Sequence, residues 1–320
     1  MFQKYKGCLI GLAVGDALGA AVEFLSLNEI HSIYGKKGIT SFDRWRSFKT
    51  GSYTDDTQLS LATARGLIKA LASKEKKEEI KIEEHVYSQY LHWFKSQTIH
   101  FHRRSPGHTC LSSLSKGIRG SMKHKINNSK GCGGVMRVAP VGLVFSEEDT
   151  FFWGAECASM THGHPTGYLT AGFLSLLIYY LRKGERMESA LSVCLKNLKK
   201  YEGHEETLHK IEYVLEPPGF RGDVDKIISN IGEGFLAEEA LAIAIFCAQQ
   251  FPDDFAMAVR ASVNHSGDSD STGCITGALM GTKLGAEAIP RDWLNRLENA
   301  SGIEAVARRL FDLSLEEKAD

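Results

Sequence analysis

Gly267-Asp268-Ser269-Asp270-Ser271-Thr272-Gly273 is a short polar segment that leads directly into an apolar run. Its two carboxylates stand two residues apart, and hydroxyl groups follow them. Asp and Ser favour the first positions of a helix, where the positive end of the helix dipole stabilises negative charge. Carboxylate and hydroxyl oxygens are also the ligands that Mg²⁺ and Mn²⁺ prefer. The segment therefore indicates a helix start that suits a hard cation.

Other chemistries share parts of this pattern. A calcium loop of the EF-hand type needs a bidentate Glu at its last ligand position, where this chain has Leu279, so that interpretation fails. An aspartyl-phosphate nucleophile normally ends a hydrophobic strand, but residues 264–267 before Asp268 are typical of a loop, which disfavours it. Two interpretations remain open: a plain acidic helix cap, and half of a carboxylate-rich metal site that another segment completes.

A second cluster of the same chemistry lies near the N-terminus. Thr54-Asp55-Asp56 precedes another apolar helical pattern, at residues 59–68. Adjacent like charges repel, and a buried pair of carboxylates needs compensation, which a divalent cation supplies. Together the two clusters offer enough oxygens for one or two ions. The pair therefore favours a metal site over two unrelated acidic caps.

Two regular stripes of glycine accompany these clusters. Glycine recurs at every fourth position from Gly7 to Gly19 and again from Gly273 to Gly285, so each set lines one face of a helix. Because glycine weakens a helix, a whole stripe indicates that a neighbouring backbone approaches closely. We therefore expect the two helices to pack against each other, or against a shared partner, at the centre of the fold.

The composition is that of an ordinary globular protein, with 43% hydrophobic and 24% charged residues. A length of 320 residues allows one large domain or two small ones. The formal net charge of -1 gives no overall electrostatic sign of nucleic-acid binding. The seven cysteines contain no C-x-x-C pair, which indicates buried thiols in a reducing compartment.

Two apolar runs bear on a membrane or secreted location. Asp16 interrupts the N-terminal run at residues 7–15, which argues against a signal peptide. The run Ala171–Leu181 is far shorter than the roughly 20 residues that a membrane span needs. We therefore expect a cytoplasmic protein that does not engage a membrane.

The segment from His85 to Ser146 contains no Asp or Glu but nine Lys or Arg residues. Such a basic face could meet a pyrophosphate, an acidic protein or nucleic acid. Within it, Gly131–Pro140 is a glycine-rich turn whose backbone N–H groups could bind phosphate oxygens. The turn lacks the Lys-Ser/Thr of a P-loop. Because a hard-oxygen site does not require imidazole, we interpret His162 as a hydrogen-bonding residue for substrate and His164 as structural.

Helical patterns dominate the chain, and few alternating strand patterns occur. The helices expected in its second half cover about 150–160, 166–182, 186–201, 205–215, 236–250, 254–263, 271–287 and 302–315. Residues 31–50 are expected to form a loop, and Pro217-Pro218-Gly219 marks a turn. No linker separates the two acidic clusters. We therefore predict an all-α fold, a compact multi-helix orthogonal bundle with one domain over residues 1–320.

With both acidic clusters in view, the chain resembles the ADP-ribosylglycohydrolase family over nearly its whole length. The motifs that carry the resemblance are Gly15–Gly19, Thr54-Asp55-Asp56, Gly131–Pro140, Thr161-His162, Glu238–Leu241 and Gly267–Ser271. Their combination in this order is far more specific than any one of them. The resemblance implies a compact all-α fold around a binuclear cleft for two Mg²⁺ or Mn²⁺ ions. It also implies hydrolysis of the bond between C1″ of ADP-ribose and a modified side chain.

The resemblance also implies a role for individual residues. The implied metal ligands are Thr54, Asp55, Asp56, Asp268, Asp270 and Ser271. The implied catalytic residues are Glu23, Asp55, Asp56 and Asp270, where Asp270 bridges the ions and Glu23 closes over the metals and the substrate. The implied substrate-binding residues are Gly133, Gly134, Val135, Met136 and His162. Two departures leave the general base open: Cys132 replaces an asparagine of some members, and Ser112 lies near the position of an additional acid in the nitrogenase-regulating hydrolases.

The expected activity is removal of ADP-ribose from modified proteins, with ADP-ribosylarginine as the first candidate linkage. Its partners are then an ADP-ribosylated protein as substrate and ADP-ribose as product. Relatives act on serine linkages, O-acetyl-ADP-ribose or ADP-ribosylated nucleic acid, so nucleic acid enters only as such a substrate. Two other classes stay open: a non-catalytic ADP-ribose-binding or structural protein, and a metal-dependent phosphohydrolase.

Overall fold

Helices form the regular secondary structure of the described part of the chain, which comprises residues 1–75, 81–215 and 222–316 of a computed structural model. They are α1 (Phe2–Gly19), α2 (Leu27–Tyr34), α3 (Asp55–Glu75), α4 (Ile82–Ser96), α5 (His108–Ser115), α6 (Val141–Val144), α7 (Glu147–Ser159), α8 (Pro165–Lys183), α9 (Met187–Leu198), α10 (Glu205–Leu215), α11 (Val224–Ile231), α12 (Ala237–Gln250), α13 (Phe255–Val263), α14 (Ser269–Leu284), α15 (Arg291–Arg296) and α16 (Ala300–Glu316). Single 3₁₀ turns lie at His100–His102, Val135–Arg137 and Ala286–Ala288. These ranges contain no β-strand, and the prediction of an all-α fold is confirmed.

The predicted helices of the second half correspond to α7–α10, α12–α14 and α16, with ends that differ by a few residues. Six helices were not predicted: α2, α4, α5, α6, α11 and α15. The expected loop at 31–50 is wrong over its first four residues, which belong to α2. A capping box marks the start of that helix, because Ser26 and Glu29 each bond the other's backbone N–H. The predicted turn at Pro217-Pro218-Gly219 lies outside the described residues.

The two glycine stripes pack against each other, because α1 and α14 run antiparallel with their backbones in contact. A Cβ atom added to Gly11 would lie 2.2 Å from the carbonyl oxygen of Gly277, and one added to Gly15 would lie 1.8 Å from that of Gly273. Gly7 faces Gly281 in the same way. No side chain larger than hydrogen fits at these positions without a shift of one helix. The prediction that the two helices pack together is confirmed.

The antiparallel pairing brings the end of α1 beside the beginning of α14. A Cβ on Gly19 would meet the carbonyl oxygen of Ser269 at 2.2 Å, so the last turn of α1 touches the acidic segment. Gly285, the last member of the second stripe, lies beyond α14 and adopts a left-handed φ of 85°. The glycine contact thus fixes where the acidic start of α14 lies relative to Asp16 on α1.

Most buried hydrophobic residues belong to one continuous core that runs from Tyr5 on α1 to Leu313 on α16, and Ala20, Trp45 and Phe48 form a small second cluster. Members of α8 and α12, such as Phe173 and Phe246, are almost fully buried in the continuous core. The continuous core gives a compact bundle, and a single domain over residues 1–320 stays a prediction. Among the described helices, none combines the length and the apolar character needed to cross a membrane.

We expect Gly277→Ala to destabilise the fold. The added Cβ would lie 2.0 Å from the carbonyl oxygen of Gly11, so the helices must separate, and overpacking of this kind costs about 1–3 kcal/mol. Gly222→Ala is the matched control, because among the described residues its Cβ would meet only Ile227 Cδ1, at 3.5 Å. Thermal and denaturant unfolding of both variants check this. Equal stability of Gly277→Ala and the wild type would contradict the close packing.

Candidate functional site

An acidic cavity of about 540 Å³ opens where the first turns of α3 and α14 meet the end of α1. Its volume lies within the range of about 300–1,000 Å³ that small-molecule sites occupy. Of the residues proposed from sequence, those that line it are Glu23, Asp55, Asp56, Gly133, Met136, His162, Asp268, Asp270 and Ser271. Thr54, Gly134 and Val135 are buried beside it and do not line it.

Asp16 holds the Thr54-Asp55-Asp56 cluster in place. One carboxylate oxygen of Asp16 accepts the backbone N–H of Thr54 at 2.8 Å. The other accepts the N–H and the hydroxyl of Thr57, at 2.9 and 2.5 Å. Asp16 is fully buried. Through these hydrogen bonds it caps the start of α3, although it belongs to α1. The sequence shows Asp16 as a charged residue inside an apolar, glycine-lined helix. Sequence reasoning alone does not assign Asp16 to the site.

The second cluster is organised by the start of α14, as its sequence predicts. The Asp268 side chain caps this helix by accepting the N–H of Ser271 at 3.3 Å, and Asp270 Oδ1 accepts the same N–H at 2.9 Å. The hydroxyl of Ser271 points towards the glycine-rich turn, 3.7 Å from Met136 Sδ. Both carboxylates and the hydroxyl therefore face the cavity that the first cluster also lines.

Burial and mutual repulsion make the ionised forms of these carboxyl groups costly. Desolvation raises the pKa of Asp55, Asp56 and Asp270 well above the usual range, and neighbouring carboxylates raise it further. Desolvation also raises the pKa of Asp16 to about 6, against the hydrogen bonds from Thr54 and Thr57. The pKa of Glu23 rises to about 8, first through desolvation and then through the charge of Asp268.

The donor set fits a hard divalent cation. Asp56 Oδ1 is buried without a hydrogen-bond partner, and such an atom is normally satisfied by a proton donor or an ion. Carboxylates and hydroxyls from both clusters supply the oxygen ligands that Mg²⁺ and Mn²⁺ favour. In the described ranges, however, no group of three or more His, Cys, Asp or Glu side chains is arranged to hold a metal ion. The oxygen-bearing side chains of the cavity are of the right types for a metal ion, but they are not arranged in coordinating positions.

The glycine-rich turn forms a wall of the cavity directly beside the acidic start of α14. It is tied to the start of α12 by an isolated bridge between Gly131 and Leu236, and Cys132 N–H donates to the Phe235 carbonyl at 3.0 Å. A Cβ on Gly133 would lie 3.0 Å from both Cys110 Sγ and His162 Cε1. Glycine at this position therefore keeps the turn close to the histidine.

His162 is buried at the cavity wall and is neutral. Its Nδ1 lies 2.8 Å from the Thr161 hydroxyl, which also accepts a hydrogen bond from Arg137. Burial, followed by the charge of Arg137, lowers the pKa of His162 to about 3. A neutral imidazole can hydrogen-bond a substrate without adding charge. His164 has a structural role, because its Nδ1 accepts the N–H of Thr166 and caps α8.

The two departures from the family pattern fall in different places. Cys132 lines the cavity, and its thiol lies 2.9 Å from Asp268 Oδ2 as a donor. Burial and the charge of Asp268 raise the pKa of this thiol, which keeps it protonated. Ser112 lies outside this cavity and lines a neighbouring one of about 360 Å³. It shares that second cavity with Arg103 and His108, which belong to the acid-free basic segment and also reach the first cavity.

Several cavity residues carried no recognised sequence signal. Phe24 and Phe235 stack at its mouth with ring centroids 6.0 Å apart. Arg46 and Ser105 lie near Glu23 on two further loops. Loop residues of this kind lack periodicity, so only the folded chain shows that they meet.

Comparison with solved structures and known sequences defines the class of this fold and then its family. A structure described as an ADP-ribosylglycohydrolase-related protein complex superposes with a TM-score of 0.75 at 24% identity, over 98% of each chain, and shows the same fold. A sequence model described as ADP-ribosylglycohydrolase matches residues 1–319. The chain therefore belongs to the ADP-ribosylglycohydrolase family, and is a glycohydrolase.

Three relatives with descriptive names match nearly the whole chain. ADP-ribosyl-[dinitrogen reductase] glycohydrolase of Rhodospirillum rubrum is 29% identical, over 98% of this chain and 96% of the relative. ADP-ribosylhydrolase ARH3 of Bos taurus is 26% identical, over 98% and 94% of the two chains. ADP-ribosylarginine hydrolase Tri1 of Serratia proteamaculans is 26% identical, over 98% and 81%.

We expect the cation-free protein to lose stability as pH rises from about 5 to about 8. The pKa of Glu23, at about 8, and that of Asp16, at about 6, lie above the usual range of unfolded carboxyl groups. The folded state therefore binds more protons than the unfolded state in this window, and ionisation favours unfolding. Calorimetry in a chelator, repeated with Glu23→Gln, measures this.

The Glu23→Gln variant should flatten the upper part of that pH dependence, because it removes a carboxyl group whose pKa is raised to about 8. Added Mg²⁺ should do the same by compensating the ionised carboxylates. An unfolding temperature that rises steadily across the same pH window in chelator would contradict the assignment of repelling, buried carboxyl groups.

Proposed function

We propose that the protein is a divalent-cation-dependent hydrolase that releases ADP-ribose from modified protein side chains, with ADP-ribosylarginine as the first candidate. The observation that carries the proposal is the meeting of the two acidic clusters in one cavity beside the glycine-rich turn and His162. A protein that only bound ADP-ribose would have no use for so many buried carboxylates around an unpartnered Asp56 oxygen.

The proposed cofactor is a pair of Mg²⁺ or Mn²⁺ ions. Thr54, Asp55 and Asp56 would hold it from α3, and Asp268, Asp270 and Ser271 from α14, after their side chains adjust. Such ions supply a water of lowered pKa and a template for substrate oxygens. The raised pKa values of Asp55, Asp56 and Asp270 fit this role, since a cation would offset the repulsion that raises them.

The residues of the chain perform the remaining tasks. Glycosidic cleavage places positive charge on the ribose in an oxocarbenium-like state, and the carboxylates of the cavity stabilise that charge. Glu23, whose pKa burial and the charge of Asp268 raise in the cation-free cavity, can donate a proton to the departing side chain. Asp55 or Asp56 can then accept the proton of the attacking water. The turn at Gly133–Met136 and neutral His162 bind and orient ADP-ribose.

The choice of ADP-ribosylarginine rests on the name of one relative, an ADP-ribosylarginine hydrolase. A second relative is named for a modified protein, dinitrogen reductase, and its name gives no linkage. A third relative is named only as an ADP-ribosylhydrolase. Serine linkages, O-acetyl-ADP-ribose and ADP-ribosylated nucleic acid therefore remain the alternative substrates. All seven cysteines are free thiols, which fits the reducing cytoplasm as the proposed location.

A panel of ADP-ribose linkages tests the proposed substrate. The protein with Mg²⁺ is offered arginine-linked, serine-linked and nucleic-acid-linked ADP-ribose in parallel, and the products are identified by mass spectrometry. We expect intact ADP-ribose to appear fastest from the arginine linkage. Release of inorganic phosphate would indicate a phosphohydrolase instead, and binding of ADP-ribose in calorimetry without turnover of any linkage would indicate a non-catalytic binder.

We expect Asp270→Asn to abolish both activity and the response to metal. Replacement of groups that merely support metal ligands already costs about 10–100-fold, so loss of a carboxylate that would itself hold the cations should cost more. Mg²⁺ at 100 times its Kd should stabilise the wild type by about 2.7 kcal/mol and should leave the variant unchanged. Thermal unfolding with and without Mg²⁺, alongside ADP-ribose release, measures both effects.

Asp312→Asn on α16 is the matched control for this variant, because Asp312 does not line the cavity. It should behave as the wild type in both assays. Full ADP-ribose release by Asp270→Asn, or by wild-type protein stripped of divalent cations, would refute a metal-dependent mechanism.

A further inference from the structure

Three loops converge on the carboxyl group of Glu23. Ser105 Oγ donates a hydrogen bond to Glu23 Oε2 at 3.2 Å, and Arg46 Nη2 donates one to Ser105 Oγ at 3.0 Å. All three residues line the cavity, yet they come from separate parts of the chain. Glu23 follows α1, Arg46 lies between α2 and α3, and Ser105 lies between the 3₁₀ turn at His100–His102 and α5.

The order of donors and acceptors makes this chain of hydrogen bonds directional. An arginine side chain only donates, whereas a serine hydroxyl has one proton and two lone pairs. The guanidinium of Arg46 therefore occupies a lone pair of Ser105 Oγ, and the single hydroxyl proton is left for Glu23 Oε2. While Oε2 accepts this hydrogen bond, Oε1 is the oxygen of Glu23 that is left to carry a proton.

The backbone at these positions is strained. In the described ranges, four non-glycine residues have a left-handed φ, and three of them are Phe24, Arg46 and Ser105, at 67°, 49° and 57°. Such conformations cost free energy and persist only where surrounding contacts enforce them. Their concentration around one carboxyl group indicates that the fold holds Glu23 in a set position.

Contacts that enforce these conformations are present on the loops of Glu23 and Ser105. Phe24 N–H donates to the Gly267 carbonyl at 2.9 Å, which ties the Glu23 loop to the acidic segment. The loop of Ser105 is anchored by the neighbouring Arg104, whose guanidinium forms two hydrogen bonds with Glu298, at 2.7 and 2.8 Å. The Arg104 carbonyl also accepts the N–H of Asp55 at 3.0 Å.

The geometry points to Ser105 and Arg46 as positioning residues for Glu23, which fix its Oε2 so that Oε1 faces the reacting bond as the proton-transfer atom. This inference rests on the proposed function, in which Glu23 transfers a proton. Neither residue touches the reacting atoms in this role. Ser105 acts through Glu23, and Arg46 acts through Ser105.

A double-mutant cycle tests the inference. Ser105→Gly removes the hydroxyl while accepting the left-handed backbone, and Arg46→Ala removes the guanidinium. Because misplacement of a catalytic group by about 1 Å can cost about 100-fold, we expect each to lower kcat by about 10- to 100-fold with KM changed by less than about threefold. Arg46→Lys, which keeps a donor, should recover part of the loss.

The Glu23→Gln background separates positioning from general damage. If Ser105 and Arg46 act through Glu23, neither substitution should lower kcat further in this background. Arg44→Ala and Ser115→Ala are matched controls on exposed side chains outside the cavity, and both should match the wild type. Wild-type kcat in Ser105→Gly, or losses that multiply with that of Glu23→Gln, would overturn the inference.

Crystal structures of the wild type and Ser105→Gly provide a readout that does not depend on activity. We expect Glu23 Oε2 to stay within hydrogen-bond distance of Ser105 Oγ in the wild type and the carboxyl group to move in the variant. An unchanged Glu23 in the variant would refute the positioning role. Absence of ADP-ribose release from every substrate by the wild type would instead refute the proposed function, while the crystal structures still decide where Glu23 is held.

Discussion

The contact between the glycine faces of α1 and α14 is the constraint on which the rest of the structure depends. The backbones of Gly11 and Gly277 are in contact, and a side chain on either residue would clash with the other helix. This contact fixes both the distance between the two helices and their register. That register sets Asp16 beside the first turn of α14. Because Asp16 also binds the N–H groups of Thr54 and Thr57, the same contact determines where α3 begins.

A cavity built in this way collects negative charge that the protein alone does not neutralise. The carboxyl groups of Asp55, Asp56 and Asp270 come from two helix starts, where the helix dipoles favour the ionised form. Burial opposes that preference and raises each pKa. The fold thus holds these carboxyl groups close together, and either protonation or a bound cation can offset the repulsion between them. A cation site therefore competes with protonation, and metal affinity should increase as pH rises.

The sequence was sufficient for features that depend on short, regular patterns. Both acidic segments and both glycine stripes could be recognised because each lies at a helix start or on one helix face. The helix starts at Leu27 and Val224 were missed, although Ser26 and Asp223 cap them. The partnership of Asp16 with Thr54 could not be predicted, because it joins residues distant in sequence through a backbone N–H rather than through a residue type.

The two sides of the cavity differ in how their geometry is enforced, and the difference follows from their tasks. The acidic side is fixed by the regular helices α1, α3 and α14, and its groups need only a constant spacing to hold ions. The other side consists of loops in which Arg46 and Ser105 adopt unfavourable backbone angles. Regular secondary structure cannot aim a side chain from the end of α1 back over the cavity. A left-handed residue such as Ser105, on a loop that Arg104 and Glu298 anchor, can do so. This explains why strain collects beside Glu23 rather than beside the proposed metal ligands.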